Sequence, residues 1–421
     1  MKRHIKNELV RQPTALSLLA LAVATLAPLT ASAEGFVDDA KVGLNLRNFY
    51  INREFRDDSI QRTKAEEWTQ SFILNVQSGY TPGPVGFGVD AIGMLAVKLD
   101  GGRETYGTGL LPVDGDNRPR DDYGRLALAA KAKFSETEVK VGEMMPVLPI
   151  LRADDGRSLP QTFQGGMVTS REISGLTLYG GQFRQNSPRD SASMDDMSYS
   201  SGESDRFNFL GGEYAFNDKQ TTVGLWTAEL KDVYEQQYAQ FLHVQPLGED
   251  LALTANLGYF QGEDDGSALA GELDNKTYSG LFGLKFGGNT LYVGLQKVSG
   301  DTGWMRVNGT SGGSLANDSF NNSYDNPGER SWQLRHDYNF AAMGVPGLTL
   351  MNRYISGDNI EVGAIDDGEE WGRETELAYT VQSGPAKNLN VKWRNSSFRS
   401  EVNSRDLDEN RIIINYPISI L

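Results

Sequence analysis

The sequence predicts an all-β chain folded as a transmembrane antiparallel β-barrel of 18 strands, with short periplasmic turns, long extracellular loops and some of those loops folded into the pore. Three observations carry this: an export signal at the N-terminus, runs that alternate apolar and polar residues, and connections that alternate short and long. The alternation is clearest at the end of the chain. In LNVKWRN, Leu389, Val391 and Trp393 share one parity while Asn390, Lys392 and Arg394 share the other, so a strand there has one apolar and one cationic face. RIIINYPISIL repeats the pattern: Ile412, Ile414, Tyr416, Ile418 and Ile420 oppose Arg411, Asn415 and Ser419, with Ile413 as an exception. A soluble sheet with its apolar face on a core alternates in the same way, so the environment has to be settled by the rest of the chain.

Residues 1–33 have the composition of a signal peptide. Lys2, Arg3, Lys6 and Arg11 form a basic region, TALSLLALAVATLAPL is an apolar stretch, and Ala31-Ser32-Ala33 is a small-residue cleavage triplet before Glu34. Its removal leaves residues 34–421 as the barrel: 388 of the 421 residues, with 36 of the 40 Lys+Arg and 55 of the 56 Asp+Glu, a net charge of about −19. Such acidity argues against nucleic acid as a partner. The chain has no cysteine, which removes disulfides, thiol nucleophiles and Cys-ligated metals. No later stretch approaches 18 consecutive apolar residues, which excludes a helical span. A soluble exported protein and a barrel whose membrane signal is dispersed as alternation both remain.

The connections separate the two. From residue 41 onward, tight turn signals fall at 81–86, 135–138, 172–175, 217–220, 247–250, 287–289, 344–347 and 384–387. Between them lie polar stretches at 53–65, 99–122, 147–162, 186–205, 264–274, 300–328, 357–370 and 400–408, with a short fifth connection at 231–233. All short turns therefore lie at one end, the asymmetry of outer-membrane barrels. The 388 residues shared among 18 strands give about 22 per strand and connection, enough for the roughly 9 to 11 residues a tilted strand needs to cross a bilayer. KVGLNLRNFYIN sets Val42, Leu44, Leu46 and Tyr50 against Lys41, Asn45 and Arg47. RLALAAKAKF sets Leu126, Leu128 and Phe134 against Arg125, Lys131 and Lys133. RSWQLRHDYNF sets Trp332, Leu334, Tyr338 and Phe340 against Gln333, Arg335, Asp337 and Asn339. The inner face is expected to be polar and repeatedly cationic, and Tyr338, Phe340, Tyr379 and Tyr416 suit interfacial girdles.

Six ordered blocks, among them GFVDDAKVGLNLRNFYINR, LPQTFQGG, VQSGPAKNLNVKWRN and DENRIIINYPISIL, resemble the OprD-type family of outer-membrane carboxylate channels, from about residue 35 to 421. The resemblance implies an outer-membrane porin of a Gram-negative bacterium, a passive channel rather than an enzyme, with no cofactor and no metal. It also implies inward-folded loops and a ladder of basic residues that guides small carboxylates. MPVLPILRADDGRSLPQTFQGG (145–166) resembles members that handle aromatic or cyclic monocarboxylates such as benzoate or vanillate. Members taking basic amino acids or small peptides, and a general-diffusion porin, are the alternatives. The expected surroundings are outer-membrane lipid and lipopolysaccharide, with the chain a monomer or a loosely associated homotrimer. The chain ends on Leu421 rather than on an aromatic, a departure from many such barrels.

Arg47, Arg353, Lys392, Arg394 and Arg411 fall on predicted strands 1, 15, 17 and 18, which closure brings together as one basic sector. Arg125, Lys131 and Lys140, on strands 4 and 5, extend it, and Arg335 has the same inward parity. Structural neutralisation by neighbouring Asp and Glu is the competing account of each. The loop 147–162, with three prolines and Asp154-Asp155-Gly156-Arg157, suits a constriction in which Arg157 faces a passing carboxylate and Asp154 or Asp155 orients or opposes it. Asp301, in GDTGW, marks a second candidate loop. Catalysis is disfavoured: His243 and His336 are the histidines after residue 33, and neither is placed for a serine–histidine–carboxylate array. The acidic runs Glu263-Asp264-Asp265 and Asp366-Asp367-Gly368-Glu369-Glu370 are better explained as solvated loop acids than as calcium sites.

Overall fold

A computed structural model describes residues 35–57, 62–402 and 406–421, so the expected signal peptide lies outside the described residues. Eighteen strands form one antiparallel sheet. They are β1 (Lys41–Phe55), β2 (Lys64–Gln77), β3 (Val85–Asp100), β4 (Asp122–Phe134), β5 (Thr137–Met144) and β6 (Thr162–Ser170). There follow β7 (Leu176–Ser187), β8 (Phe207–Phe216), β9 (Thr221–Leu230), β10 (Tyr234–Pro246), β11 (Leu251–Asp264) and β12 (Asp274–Phe286). The last six are β13 (Asn289–Ser299), β14 (Arg330–Asn339), β15 (Leu348–Val362), β16 (Ile365–Thr380), β17 (Asn390–Ser400) and β18 (Leu407–Ser419). Each strand pairs with its sequence neighbour, and β18 closes onto β1 from Gly43 opposite Ser419 to Phe55 opposite Leu407. Closure removes the edges, so the backbone facing hydrocarbon is satisfied within the sheet.

The outward parity is apolar, as expected: Leu225 is 71% exposed, and Leu128, Leu210, Leu334 and Trp393 are likewise exposed. Tyr379 and Tyr416 lie at the short-turn ends of their strands, and Tyr416 donates to the Pro385 carbonyl at 2.7 Å. Phe340 opens a 3-10 turn, Phe340–Met343, capped by the Asn339 side chain and ended by Gly344 at φ 82°. His336 lies on the lipid-facing parity, bonded to Asn289, and His243 lies near the end of β10 beside Thr221.

Two expectations need correction. The stretch 357–370 is not a long loop: β15 and β16 continue pairing out to Val362 opposite Ile365, with bulges after Gly357 and Ile360. Here one side of the ribbon packs on residues 327–329, with Gly357, Ile360, Gly368 and Glu370 buried, while Asp358, Asp366, Asp367 and Glu369 are exposed, so the apolar alternation stops while the hydrogen-bond ladder does not. The second concerns the inner face, expected to be polar throughout. On β6 to β11 it is aromatic: Phe163, Phe183, Phe207, Phe209, Tyr234, Tyr238 and Phe260 are buried there. They pack against Leu148, Ile150 and Leu151 of one long loop and Trp304, Met305, Val307 and Leu315 of another. Each fully buried large side chain of this kind contributes about 1.5–3 kcal/mol, which is what draws both loops into the lumen. The bulge at Gln164/Gly165 sits where the first loop joins the wall. A Cβ on Gly165 would lie 2.2 Å from the Gln182 carbonyl oxygen, so no side chain fits there.

The topology predicts that an epitope inserted at the Gly363-Ala364 tip is labelled on intact cells, while one at Asp218 is labelled only after permeabilisation. Labelling of Asp218 on intact cells would mean the opposite threading.

Candidate functional site

The apolar half of the lumen is filled, and the passage runs along the other half, β15 to β18 and β1. A cavity of about 1000 Å³ lies there between the wall and the two inward loops, 145–161 and 300–329. Arg353, Arg394, Arg411 and Arg53 line it from the wall, and Arg152, Arg157, Arg189 and Arg306 from the loops. Against these eight guanidiniums stand four lining aspartates, Asp154, Asp155, Asp190 and Asp318. The loops also bond to each other: the Ser311 amide donates to the Arg152 carbonyl at 3.0 Å, and the Ser314 hydroxyl to the Pro149 carbonyl at 2.7 Å.

The wall cations are brought together by register. Arg394 lies directly opposite Arg411, and like charges in that position repel. Carboxylates on the same inward face relieve the repulsion. Glu376 accepts from Arg394 Nε at 2.5 Å and pairs with Lys392 at 3.8 Å. Glu409, fully buried, takes Arg411 at 2.5 Å and Arg53 at 2.6 Å. Glu374 binds Arg353 through two nitrogens, one at 2.9 Å. Arg47 is held by Asp155 of the first loop, at 2.8 Å and 3.1 Å, and by the Arg157 carbonyl at 2.7 Å.

These cations also dock the second loop. Arg353 donates to the Asp318 carbonyl at 2.8 Å, and Arg411 to the Phe320 carbonyl at 2.7 Å and Asn321 Oδ1 at 3.1 Å. The Phe320 amide in turn donates to Glu374 at 2.7 Å. The ring of Phe320 lies 4.3 Å from the Arg394 guanidinium and 5.7 Å from those of Arg353 and Arg411, within cation–π range.

The structure therefore gathers Arg47, Arg353, Lys392, Arg394 and Arg411 in one sector and leaves the other expected ladder residues elsewhere. Arg125 points into the loop anchorage, donating to Ser187 at 2.6 Å and the Pro188 carbonyl at 2.8 Å. Lys131 and Lys140 share Asp90 at 2.7 Å and 2.5 Å near the short-turn end. Arg335 is paired with Asp337 at 2.7 Å and does not line the cavity. Asp154, Asp155 and Arg157 do line it; Asp301 does not, being exposed at the start of its loop. The chain turns inward only after Trp304 has packed on Phe260, ring centroids 5.1 Å apart. Arg53, Arg152, Arg189, Arg306, Asp318 and Phe320 were not singled out from sequence. Arg53 shares the parity of Arg47, a signal that was present; the loop residues have no periodicity to reveal them.

Burial raises the Asp318 carboxyl to about 6, partly offset by Arg306 and Ser323. Arg157 is pushed well below the usual guanidinium value by burial and by the charges of Arg411 and Arg189.

A closed barrel whose lumen is narrowed by loops and lined by opposed charges defines a porin, a channel of the outer membrane rather than an enzyme. The model of the OprD family of outer membrane porins matches residues 34–420. The chain belongs to that family. It is 62% identical to the porin-like protein GalP of Pseudomonas putida over 404 residues, 95% of this chain and 97% of that one. Among solved structures, a BenF-like porin from Pseudomonas fluorescens superposes with a TM-score of 0.91 at 64% identity, over 92% of this chain and all of that one. The Pseudomonas aeruginosa channel OccK2 in complex with glucuronate gives 0.84 at 58% identity, over 92% of this chain and all of that one. OpdK of the same organism, with vanillate, gives 0.87 at 50% identity, over 91% and all respectively.

Two expected outcomes follow from the charges. Glu374→Gln leaves the Arg353 guanidinium, 7% exposed, buried without its counter-ion, a loss of about 3–5 kcal/mol. The heat needed to unfold the barrel on a detergent gel, or the protease resistance of residues 318–323, should fall accordingly. Asp318 loses its charge as pH falls through about 6, which leaves the cavity more cationic below that pH. Anion preference measured from reversal potentials should therefore rise from pH 8 to pH 5, and Asp318→Asn should hold the low-pH value throughout.

Proposed function

We propose that this channel takes up small monocarboxylates, with cyclic and aromatic acids as its substrate class. The observation that carries the reading is the cavity itself, where eight arginines face four aspartates in about 1000 Å³. That volume admits a solute of one ring, and the guanidinium groups lining it favour carboxylates through planar paired hydrogen bonds. Each charge contact at about 4 Å contributes roughly 1–4 kcal/mol between the dielectrics of water and of a protein surface, strong enough to select and weak enough to release. The relatives solved with glucuronate and with vanillate hold ring carboxylates, which supports the same class here. A basic amino acid also carries a carboxylate but adds a cation that the lining arginines repel, which ranks it below simple acids.

The test is a bilayer or proteoliposome assay with benzoate, vanillate and glucuronate set against neutral glucose and cationic arginine. The expected result is saturable passage of the carboxylates, competition among them, and an anion-over-cation preference. Equal, unsaturable passage of all five would instead make the channel a general-diffusion pore, and preference for arginine would reverse the assignment.

A further inference from the structure

The outward face of the barrel carries a groove that the passage does not use. It holds about 640 Å³ across β11 to β15, at the long-loop end of these strands, and strand register builds it in two rows. One row runs Tyr259, Tyr278, Lys297, Arg330 and Asp358, each directly opposite the next. The row beneath it, two residues nearer the middle of each strand, runs Leu257, Gly280, Leu295, Trp332 and Ser356. Two residues along a strand span about 7 Å, so a polar, cationic row stands that far above an apolar one.

An aromatic belt fixes the depth of these rows. Tyr259 and Tyr278 have ring centroids 4.9 Å apart, Trp332 and Tyr354 5.7 Å, and Tyr354 and Trp371 6.1 Å, and such belts sit at the level of lipid head groups. Lys297 and Arg330 are therefore placed among head groups, and the row beneath among acyl chains. That lower row has a dent where Gly280 leaves its position empty. A Cβ there would lie 3.3 Å from both Leu257 Cδ2 and Phe282 Cε2, so a larger side chain would close it. The charge of the upper row is unbalanced. Lys297 faces Arg330 across the ladder, and like charges in that position repel. Asp358 takes Arg330 at 2.8 Å, through Nε. Among the described residues Lys297 has no carboxylate partner, and neither has Lys276, one row further out on β12. Glu263 and Asp274 stand opposite each other one row beyond Lys276 and pair with none of the three cations.

We propose that this groove seats one lipid A moiety of the outer leaflet's lipopolysaccharide, with a phosphate on Lys297 and Arg330 and an acyl chain in the dent over Gly280. The vertical order of the site, cations above and apolar groove beneath, is the order of a phosphorylated head on its chains. A phosphate between Lys297 and Arg330 relieves their repulsion through charge-assisted hydrogen bonds, while Asp358 keeps hold of the Arg330 Nε. A neutral lipid would fill the dent and leave the charge unbalanced. A second copy of the chain related by a two-fold axis through this face would set the same cations against each other. The groove faces away from the lumen, so its occupant touches none of the residues that line the passage.

The experiment is native mass spectrometry of the channel in detergent. Protein extracted from outer membranes should retain one lipid A-bearing molecule, identified by its mass. Protein refolded from inclusion bodies, which carries no bacterial lipid, is then titrated with lipid A and with lipid A stripped of its phosphates. The dephosphorylated lipid should bind roughly tenfold to a hundredfold more weakly, and the double variant Lys297→Gln/Arg330→Gln should lose the same factor toward intact lipid A, the worth of a charge-assisted hydrogen bond. Gly280→Val, which fills the dent, should weaken both lipids by about tenfold. Arg184→Gln, an outward rim cation on β7 already paired with Asp205, should match wild type. All variants should keep wild-type single-channel conductance, which shows that they are folded. Wild-type affinity in the double variant or in Gly280→Val overturns the proposal, as does an equal loss in Arg184→Gln. Retention of a phospholipid in place of lipid A by wild type overturns it too. If the double variant loses an oligomer rather than a lipid, the face is a contact between copies of the chain and the proposal falls.

Discussion

In hydrocarbon no water is available to the backbone, and the pairing of β18 with β1 lets every strand find partners on both sides. The rest of the molecule answers the problem that closure creates. Eighteen strands enclose a lumen wider than their own side chains can fill. The chain spends its long extracellular connections on narrowing it. One half is plugged by aromatic residues of β6 to β11 packed on Leu148, Leu151, Trp304 and Met305, and the other half is left as a passage.

Along that passage the same arginine–carboxylate pairs serve the fold and the field. Glu409 lies opposite Arg53 in the β18–β1 register, and Glu374 lies opposite Arg353 in β15–β16, so register alone puts acid beside base. The bases have donors left over, and the loop backbone at Asp318 and Phe320 takes them. A buried pair is a poor source of net stability, but it fixes direction: Arg353 is aimed at the Asp318 carbonyl and Arg411 at that of Phe320, and the loop tip is set in one place against the wall.

The strands, the turn positions, the closure and the shared sector of Arg47, Arg353, Lys392, Arg394 and Arg411 were all legible, because each depends on local alternation or on strand count. Ile413, the odd residue of its run, is explained only in three dimensions: it packs inside with Phe49, Ile51, Leu110 and Leu159 beneath the first loop. The partners of the cations were not legible. Asp155 is 108 residues from Arg47 and Phe320 is 91 from Arg411, and no period in the sequence links them. Glu374, Glu376 and Glu409 were closer to hand, since all three have inward parity and register would have paired them. The stretch 357–370 misled because its exposed positions are acidic and its buried ones include Gly357, Gly368 and Glu370, so it lacks the apolar alternation of a membrane strand.

The central claim is that the second loop, pinned on the wall arginines, sets the width of the pore. Its most direct test is the single-channel conductance of a channel in which residues 312–322 are replaced by a short Gly-Ser linker, compared with wild type in the same salt. The account predicts a conductance well above wild type and a weakened anion preference. A conductance unchanged by the replacement would show that the wall and the first loop set the constriction alone.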